Sequence, residues 1–385
     1  MKTIRVGIIT ENHFPRLGGM EIASHNLAQS LNKLPDVSAA ISCSTMPEIP
    51  QNYHYPYKVY RSKSFSILTP ILNWKNIEKM IKKEKINILH GLMFHGGGAT
   101  AIEIGKKFNL PVIVQSHGSD VQVVPEINYG ASLKPEIASK INNVIQHADK
   151  IIAISNINKQ MILARGGAKE KISVIPNGIQ HEEIGAIPFE DIRSRYNLTP
   201  SDFVLLTVGR NRPIKRMELL FKAIALIKDK NPQIKCICVG PKADLSKMVQ
   251  TYHLEQNIIL TGSIPKQLTI NNPPYPELIN LYRNSNLYVS VSYIESFGLS
   301  ALDALSTGTP VLVGKKHGIR DAITEGKTGF TLQQETPEYL AEMLQIISTQ
   351  KQQLETQRNN IRNSVSHLTW DNIAKQLRNM YLSLI

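Results

Sequence analysis

The sequence predicts an α/β protein with two doubly wound, Rossmann-like parallel-sheet domains and an inter-domain cleft. Its 385 residues exceed what one ordinary hydrophobic core accommodates, which favours two domains. Apolar strand segments alternate with helical segments in two successive series, a pattern typical of parallel sheets covered by helices on both faces. The turn Pro176-Asn177-Gly178 separates the two series. We therefore expect domains at residues 1–181 and 182–365, followed by a final segment at residues 366–385.

The first half contains six predicted strands and five predicted helices. The strands are expected near Ile4–Thr10, Ala39–Ser42, Ile88–Gly91, Val112–Ser116, Lys150–Ile154 and Ile172–Ile175. The helices are expected near Glu21–Lys33, Ile71–Lys83, Gly97–Phe108, Pro135–His147 and Ile157–Ala164. The segment from His181 to Pro188 is interpreted as the linker between the domains.

The second half repeats the arrangement. Strands are expected at Phe203–Gly209, Ile234–Val239, Ile258–Thr261, Leu287–Val291 and Val311–Val313. Helices are expected at Met217–Lys228, Leu245–Tyr252, Glu277–Arg283, Leu299–Ser306, Pro337–Thr349, Gln350–Asn363 and Trp370–Leu384. The segment Gln267–Pro276, with three prolines and two asparagines, predicts a long loop.

The stretch VSVSYIESFGLSALDALSTGTP, from Val289 to Pro310, is the strongest candidate for a functional site. A short apolar strand leads into a loop that carries Glu295, and a helix follows from Leu299. The first N–H groups of a helix are unsatisfied, so such a loop and helix end favour an anion. Gly298 allows a ligand to approach the backbone closely.

Two carboxylates are placed to act on the same ligand. Glu295 and Asp303 are eight residues apart, and on a helix two such positions are separated by about 80° around the axis, so both can face one ligand. Ionised carboxylates only accept hydrogen bonds, so beside an anion site they suit hydroxyl groups, as in a sugar diphosphate. Paired carboxylates also occur in glycoside hydrolases, which do not require the adjacent phosphate-binding helix end. A surface Glu and a helix-capping Asp are the purely structural alternative.

The pattern SxxESFGLxxxDAxxxGTPV resembles the signature of retaining family-4 glycosyltransferases of GT-B fold. That signature is commonly an acidic pair spaced E-x7-E, followed by a Gly-Pro-Val turn. Here Asp303 replaces the second Glu, and Ser296 replaces the usual Gly. The resemblance implies transfer of a sugar from a nucleoside diphosphate to an acceptor hydroxyl with retained configuration. It also implies that the final helix crosses back onto the first domain.

The resemblance extends to the first domain. PRLGGMEIASHNLAQSL is similar to the family's Gly-Gly-x-Glu segment, in which Gly18 and Gly19 would approach the donor. HGSD is similar to the family's His-Gly-x-Asp, which implies that His117 contacts the transferred sugar. A histidine at a strand end can donate a hydrogen bond to a substrate oxygen or transfer a proton, although such histidines more often only hydrogen-bond the backbone. No G-x-G-x-x-G follows the first strand, which argues against a nicotinamide cofactor.

Basic residues follow the first strand of the second domain. In VGRNRPIKRMELL, Arg210 and Lys215 match the Arg and Lys with which the family contacts both phosphates, and Arg212 and Arg216 are close in sequence. By the same resemblance, Gly262 and Ile264 lie in the loop that holds the base, and Ser296, Phe297, Gly298 and Leu299 form the phosphate-binding helix end. Glu295 is expected to act on the sugar, and Asp303 on the ribose.

Composition limits the remaining possibilities. Cys43 stands alone, and the pair Cys236 and Cys238 lies in an apolar strand without nearby His or Cys partners, so neither a disulfide framework nor a zinc site is indicated. The sequence contains no Asp-x-Asp motif that would indicate a metal, and no cofactor is expected. The N-terminus lacks the pattern of a signal peptide and no apolar run reaches the roughly 18–20 residues of a membrane span, so we expect a cytoplasmic protein. The formal charge of +13 admits nucleic acid, an anionic substrate or an anionic membrane face as a partner, or a solvated surface with no specific partner. No nucleic-acid-binding motif is present, which favours peripheral attachment to the membrane.

The sequence leaves the substrates open. A UDP-sugar such as UDP-glucose is the first hypothesis for the donor, with GDP-mannose as the rival. The acceptor is expected to be a glycan or a lipid-linked glycan of envelope polysaccharide. A phosphorylase or sugar-phosphate synthase with a soluble acceptor, and a non-catalytic binding protein of the same fold, are the alternatives. A basic patch on the first domain would favour the lipid-linked acceptor.

Overall fold

The computed structural model describes residues 3–15, 18–44, 54–62, 69–264 and 275–385, with the backbone alone at 69–73 and 244. It contains two compact units. Unit 1 comprises Met1–Gly178 and Leu368–Ile385, so it includes the last helix of the chain. Unit 2 comprises Ile179–His367. Each unit is a parallel sheet covered by helices, as the sequence predicts.

In unit 1 the described strands form a seven-stranded sheet in the order β3-β2-β1-β4-β5-β6-β7. The strands are β1 (Ile4–Ile9), β2 (Val37–Ser44), β3 (Lys58–Ser62), β4 (Ile88–Leu92), β5 (Val112–Gln115), β6 (Lys150–Ala153) and β7 (Ile172–Val174). The helices are α1 (Gly19–Leu31), α2 (Thr69–Glu84), α3 (Ala99–Phe108), α4 (Pro135–His147), α5 (Asn156–Ala164) and the C-terminal helix (Trp370–Leu382). α1 and the C-terminal helix bury one face of the sheet, and α2, α3 and α4 bury the other.

In unit 2 the described strands form a six-stranded sheet in the order β10-β9-β8-β11-β12-β13. The strands are β8 (Phe203–Val208), β9 (Ile234–Val239), β10 (Ile258–Gly262), β11 (Leu287–Ser290), β12 (Val311–Gly314) and β13 (Gly329–Leu332). The helices are α6 (His181–Ala186), α7 (Met217–Ile227), α8 (Ala243–Thr251), α9 (Pro276–Arg283), α10 (Leu299–Ser306), α11 (Pro337–Thr349), α12 (Lys351–Thr356) and α13 (Arg358–Ser364).

The strand orders place one topological switch point in each sheet. In unit 1, β1 lies between β2 and β4, and in unit 2, β8 lies between β9 and β11. The loops that leave β1 and β4, and those that leave β8 and β11, therefore diverge to opposite faces of their sheets. In open parallel sheets, ligands bind at such a crevice beyond the carboxyl ends of the strands.

The structure differs from the sequence-based expectations in a few elements. β3 and β13 were not predicted, because β3 is a polar edge strand and β13 has only four residues that begin with glycine. The expected linker at His181–Pro188 contains α6, which begins unit 2. The single helix expected at Gln350–Asn363 is divided into α12 and α13. Most of the predicted Gln267–Pro276 loop lies outside the described residues.

Candidate functional site

The switch point of unit 2 brings a cation and a carboxylate together. Lys215 lies in the loop after β8, and Glu295 lies in the loop after β11, the neighbouring strand. Lys215 Nζ donates to Glu295 Oε2 at 2.5 Å. Gly209 follows β8 at φ +152°, and a Cβ there would lie 3.9 Å from Lys215 Cε. The lysine side chain therefore extends across the end of the strand towards the acid.

Glu295 is held ionised by its surroundings. Its burial alone would raise the pKa, but the charges of Lys215 and His317, with the hydrogen bond from Lys215, lower the pKa below its ordinary value. The backbone is fixed as well, because Glu295 N donates to Lys316 O at 2.9 Å and Gly318 N donates to Glu295 O at 2.8 Å. A fixed carboxylate of this kind can accept hydrogen bonds from sugar hydroxyls and stabilise positive charge.

Sequence reasoning gave His317 no role, and the structure places it beside Glu295. The imidazole is 2% exposed, and its Nε2 donates to the carbonyl of Ser292 at 3.1 Å. Burial lowers the pKa of His317 despite the opposing charge of Glu295. The strand-like pairing of Glu295 with His317 produces this contact, and no short motif in the sequence marks it.

The N-terminus of α10 is open to a ligand through its backbone. Gly298 precedes the helix at φ +101°, a left-handed conformation that favours glycine. Ser296 and Phe297 are 4% and 3% exposed, so their side chains belong to the interior. The first-turn N–H groups, including that of Leu299, can therefore hydrogen-bond an anion and carry the positive end of the helix dipole.

Asp303 lies on the partly exposed face of α10, one turn after Leu299 and Ser300. Burial raises the pKa of its carboxyl to about 7. Two buried phenols, Tyr282 and Tyr288, are close enough for the charge of Asp303 to raise their pKa values further. Asp303, on α10, thus changes charge near neutral pH, whereas Glu295, in the loop before that helix, stays ionised.

Of the four basic side chains after β8, two have protein partners: Lys215 bonds Glu295, and Arg216 bonds the loop after β11 and Glu335. Arg216 Nε donates to Val291 O at 2.7 Å, its Nη1 lies 2.9 Å from Glu335 Oε2, and its guanidinium stacks over Tyr293. Arg210 and Arg212 are exposed. The cations available to a ligand are therefore Lys215 with Arg210 or Arg212, whereas Arg216 fixes the loop after β11.

The expected base-binding residues lie at the end of β10 and just after it. Gly262 ends β10 at φ +85°, and Ile264 is partly exposed. A Cβ at Gly262 would lie 3.4 Å from Lys242 Cε, which places an additional exposed cation, from the loop after β9, beside this glycine. Lys242 was not predicted, because a single lysine before a helix carries no distinctive signal.

In unit 1, His117 lies in the loop after β5, and Asp120 holds the two residues that flank it, Ser116 and Gly118. One oxygen of Asp120 accepts from Ser116 Oγ at 2.9 Å and from Gly118 N at 2.8 Å, and the other accepts from Phe94 N at 3.1 Å. Burial lowers the pKa of His117 to about 4, against the charge of Asp120. His117 is therefore neutral at pH 7, with one ring nitrogen that donates and one that accepts.

Asp120 thereby joins the loops after β4 and β5, which the sequence did not predict. Phe94 belongs to a π-helical turn, Met93–Gly98, that follows β4 and is continuous with α3. Turns of this type occur frequently at functional sites. His95 in this turn has a buried Nδ1 with no hydrogen-bond partner among the described residues. The loops after β4 and β5 are thus one hydrogen-bonded structure.

The glycine pair of unit 1 begins α1. Gly18 is the N-cap residue, and Glu21 lies so close that a Cβ on Gly18 would be 2.2 Å from Glu21 Oε2. A carboxylate in the first turn already interacts favourably with the helix dipole. This arrangement favours a hydroxyl group over a phosphate near Gly18 and Gly19.

The described residues contain no cluster of three or more His, Cys, Asp or Glu side chains that could hold a metal ion. They also contain no helix long and apolar enough to cross a membrane.

Two family models match consecutive parts of the chain. The model for "Glycosyltransferase Family 4" matches residues 17–183, and the model for "Glycosyl transferases group 1" matches residues 188–364. D-inositol 3-phosphate glycosyltransferase of Nocardiopsis dassonvillei is 25% identical over 70% of this chain and 64% of its own length. Alpha-monoglucosyldiacylglycerol synthase of Streptococcus pneumoniae is 22% identical over 85% of this chain and 74% of its own. The chain thus spans less than two thirds of the first of these relatives.

Solved structures share the fold along the whole chain. Sucrose-phosphate synthase of Thermosynechococcus elongatus has a TM-score of 0.82 at 21% identity and covers 99% of both chains. Anabaena HepE, solved with UDP and glucose, has a TM-score of 0.76 at 18% identity and covers 99% of this chain and 100% of its own. With consecutive parts of the chain matched by these two models, the chain belongs to the glycosyltransferases of group 1/family 4, and its fold is GT-B.

Proposed function

We propose that the protein transfers glucose or a related sugar from a UDP-sugar to a hydroxyl of a lipid-linked glycan in envelope polysaccharide synthesis. The observation that carries the proposal is the contact between Lys215 and Glu295 at the switch point of unit 2. A cation for the diphosphate and a carboxylate for sugar hydroxyls are thereby adjacent. The choice of UDP and glucose is supported by HepE, which binds both. GDP-mannose is the rival donor.

Each side chain has a role in this proposal. Lys215 and Arg210 neutralise the diphosphate as it departs, together with the N–H groups at the start of α10. Glu295 binds hydroxyls of the sugar and stabilises positive charge at the anomeric carbon. Asp303 binds the ribose hydroxyls, and Gly262 and Ile264 contact the base through their backbone. His117 contacts the transferred sugar. No step in this scheme requires a metal.

A basic helix in unit 1 supports a lipid-linked acceptor over a soluble one. Lys75, Lys79 and Lys82 are exposed at helical spacing along α2, and Lys83 and Lys85 follow them. Lysines near an anionic membrane surface contribute about 1 kcal/mol each. The pneumococcal relative, named for a diacylglycerol product, is consistent with an acceptor in a membrane. We propose peripheral attachment of unit 1 to the cytoplasmic membrane face.

A thermal-shift screen with UDP, GDP, ADP and CMP, in buffer with a chelator, tests the donor site. A ligand at 100 times its dissociation constant stabilises the folded state by about 2.7 kcal/mol. We expect UDP alone to raise the midpoint, and Lys215→Ala and Asp303→Ala to abolish the rise. Lys222→Ala is the control, because Lys222 pairs with Glu218 on α7 at 3.0 Å. A protein unaffected by all four nucleotides would contradict the proposal.

Vesicle sedimentation tests the acceptor side. Lys79→Glu should weaken binding to vesicles that contain phosphatidylglycerol by roughly tenfold or more, because it reverses one charge near the surface. Lys375→Glu is the matched control, since Lys375 is exposed on the C-terminal helix, on the opposite face of the sheet of unit 1. Equal effects of the two substitutions would contradict a membrane surface on α2.

A further inference from the structure

Arg216 has a backbone conformation that is uncommon for a residue with a side chain. It lies at φ +48° and ψ +43°, in the left-handed region, between Lys215 and the first residue of α7. Such a conformation persists where surrounding contacts fix it. The contacts of the guanidinium, with the loop after β11 and the segment after β13, therefore indicate what this residue does.

Three oxygen atoms bond the guanidinium. Nε of Arg216 donates to Val291 O at 2.7 Å, and Nη2 donates to Ser292 O at 3.3 Å. Nη1 lies 2.9 Å from Oε2 of Glu335, which lies between β13 and α11. The two charged side chains are 12% and 28% exposed. Charge-assisted hydrogen bonds are directional, so this cluster joins the turn after β8 to the loop after β11 in a defined geometry.

The carbonyl of Ser292 accepts from a second side chain as well. Besides Arg216 Nη2, His317 Nε2 donates to it at 3.1 Å, so both lone pairs of the oxygen are used. The next residue, Tyr293, lies against the guanidinium, whose central carbon is 4.4 Å from the ring centroid. The loop after β11 is therefore held at successive residues before it reaches its carboxylate.

Glu295 closes these contacts into a ring. Its N–H donates to Lys316 O at 2.9 Å, and its carbonyl accepts from Gly318 N at 2.8 Å, so the residues on either side of His317 hold its main chain. Its carboxylate returns to Lys215, at the other end of the same cluster. A displacement of any member of this ring therefore changes the position of the acid relative to the lysine.

We propose that Arg216 and Glu335 are positioning residues, which hold Glu295 where it acts on the transferred sugar. The inference rests on the proposed function, in which Glu295 binds sugar hydroxyls and stabilises charge at the anomeric carbon. Neither residue has to touch the substrate. Arg216 fixes the loop after β11, and Glu335 fixes Arg216 by pairing with its guanidinium.

The burial of the pair favours this role over a role in stability. Removing two charges from water opposes their mutual attraction, so a buried ion pair is weak evidence for stability. Its directional bonds nevertheless fix geometry, and a displacement of about 1 Å at a reacting group can lower turnover by about a hundredfold. Loss of the cluster should therefore lower kcat, whereas binding of UDP, which carries no sugar, should change little.

The test removes both charges together, in the double variant Arg216→Gly with Glu335→Gln. Glycine adopts the left-handed conformation readily, so the turn before α7 is kept, and the net charge of the site is unchanged. Turnover is measured as release of UDP from UDP-glucose, and UDP affinity by calorimetry. We expect kcat to fall about tenfold or more, and the Kd for UDP to change by about twofold at most. Glu335→Gln alone should also lower kcat without weakening UDP binding.

Hydrogen exchange reports the position of the loop without any substrate. The amides of Tyr293 and Glu295 donate to Ile214 O and Lys316 O, each at 2.9 Å. In the double variant the peptides that span these two amides should exchange about tenfold faster, because the loop opens locally more often. Peptides from β8 should exchange as before.

The matched control is Asp36→Asn with Arg378→Gln, which removes an ion pair of similar burial from unit 1. Arg378 Nη2 lies 2.5 Å from Asp36 Oδ2, and the side chains are 29% and 12% exposed. This variant should lower the midpoint of thermal unfolding about as much as the test variant does. It should leave kcat and the exchange of the loop after β11 unchanged.

Several outcomes would overturn the inference. An equal loss of kcat in the control would mean that ion pairs of this kind act only through stability. An unchanged exchange of the loop, or an unchanged kcat in either test variant, would show that the cluster does not position Glu295. A UDP affinity that falls together with kcat would make Arg216 a nucleotide-binding residue instead. A protein that neither binds UDP nor releases it from UDP-glucose refutes the proposed function, and the exchange of the loop alone then decides the inference.

Discussion

The ion pair between Lys215 and Glu295 makes an unusual prediction about binding. In the free protein Lys215 already has a partner, 2.5 Å away, so a diphosphate must compete with Glu295 for the lysine. Glu295→Gln removes the competing charge and leaves the lysine free. We therefore expect this substitution to strengthen UDP binding while it abolishes transfer.

The magnitude follows from the exposure of the pair. The side chains of Lys215 and Glu295 are 30% and 26% exposed, so solvent screens their attraction. A discounted value of about 0.5–1 kcal/mol is appropriate for such a pair. This corresponds to UDP binding that is about twofold to fivefold tighter. Lys215→Met should act in the opposite direction by about 1.5–3 kcal/mol, the value of a charged hydrogen bond.

Isothermal titration calorimetry with UDP measures both effects at pH 8, where Asp303 is ionised. A double variant completes the cycle, because Glu295→Gln should have no effect on UDP affinity once Lys215 is absent. Transfer assays on the same variants separate binding from turnover. If Glu295→Gln weakens UDP binding tenfold, Glu295 contacts the nucleotide itself, and the reasoning from competition is refuted.

Three further predictions concern the same elements. Burial raises the pKa of Asp303 to about 7, and only the ionised carboxylate can accept hydrogen bonds from two ribose hydroxyls. UDP affinity should therefore rise from pH 6 to pH 8, and Asp303→Asn should remove this pH dependence. Gly298→Ala and Gly166→Ala impose similar backbone strain, at φ +101° and +85°, and each should cost about 1–2 kcal/mol in urea unfolding, but only the first should weaken UDP binding. Burial lowers the pKa values of His25 and His90 to about 4 and 3, so the unfolded chain binds more protons than the folded protein below pH 6.5. The free energy of unfolding should therefore fall as pH drops from 6.5 to 4. A free energy of unfolding that does not change over this range would contradict the burial of neutral histidines.

The sequence by itself determined the two-unit α/β organisation and the loops that carry the candidate site. Buried parallel strands require apolar residues on both faces, so segments such as Ile234–Val239 are recognisable without a structure. Helix ends are recognisable for a different reason, because Gly308 and Pro310 terminate α10 locally. Both signals arise from neighbours in the chain. β3 is a polar edge strand and β13 has only four residues, so neither carries these local signals, and the sequence analysis did not predict them.

Tertiary structure alone decided which of these residues meet. The adjacency of β8 and β11 brings Lys215 to Glu295. It also brings Arg216 to the backbone after β11, whereas the sequence did not show which of the four basic residues after β8 bonds the protein and which can bind a ligand. The same holds for His317 beside Glu295 and for Tyr381 against His90. These contacts join residues that are 22 or more positions apart, through the order in which strands pair and helices pack. No local pattern in the sequence encodes that order, so the pKa values of Glu295, Asp303 and His117 were also beyond its reach.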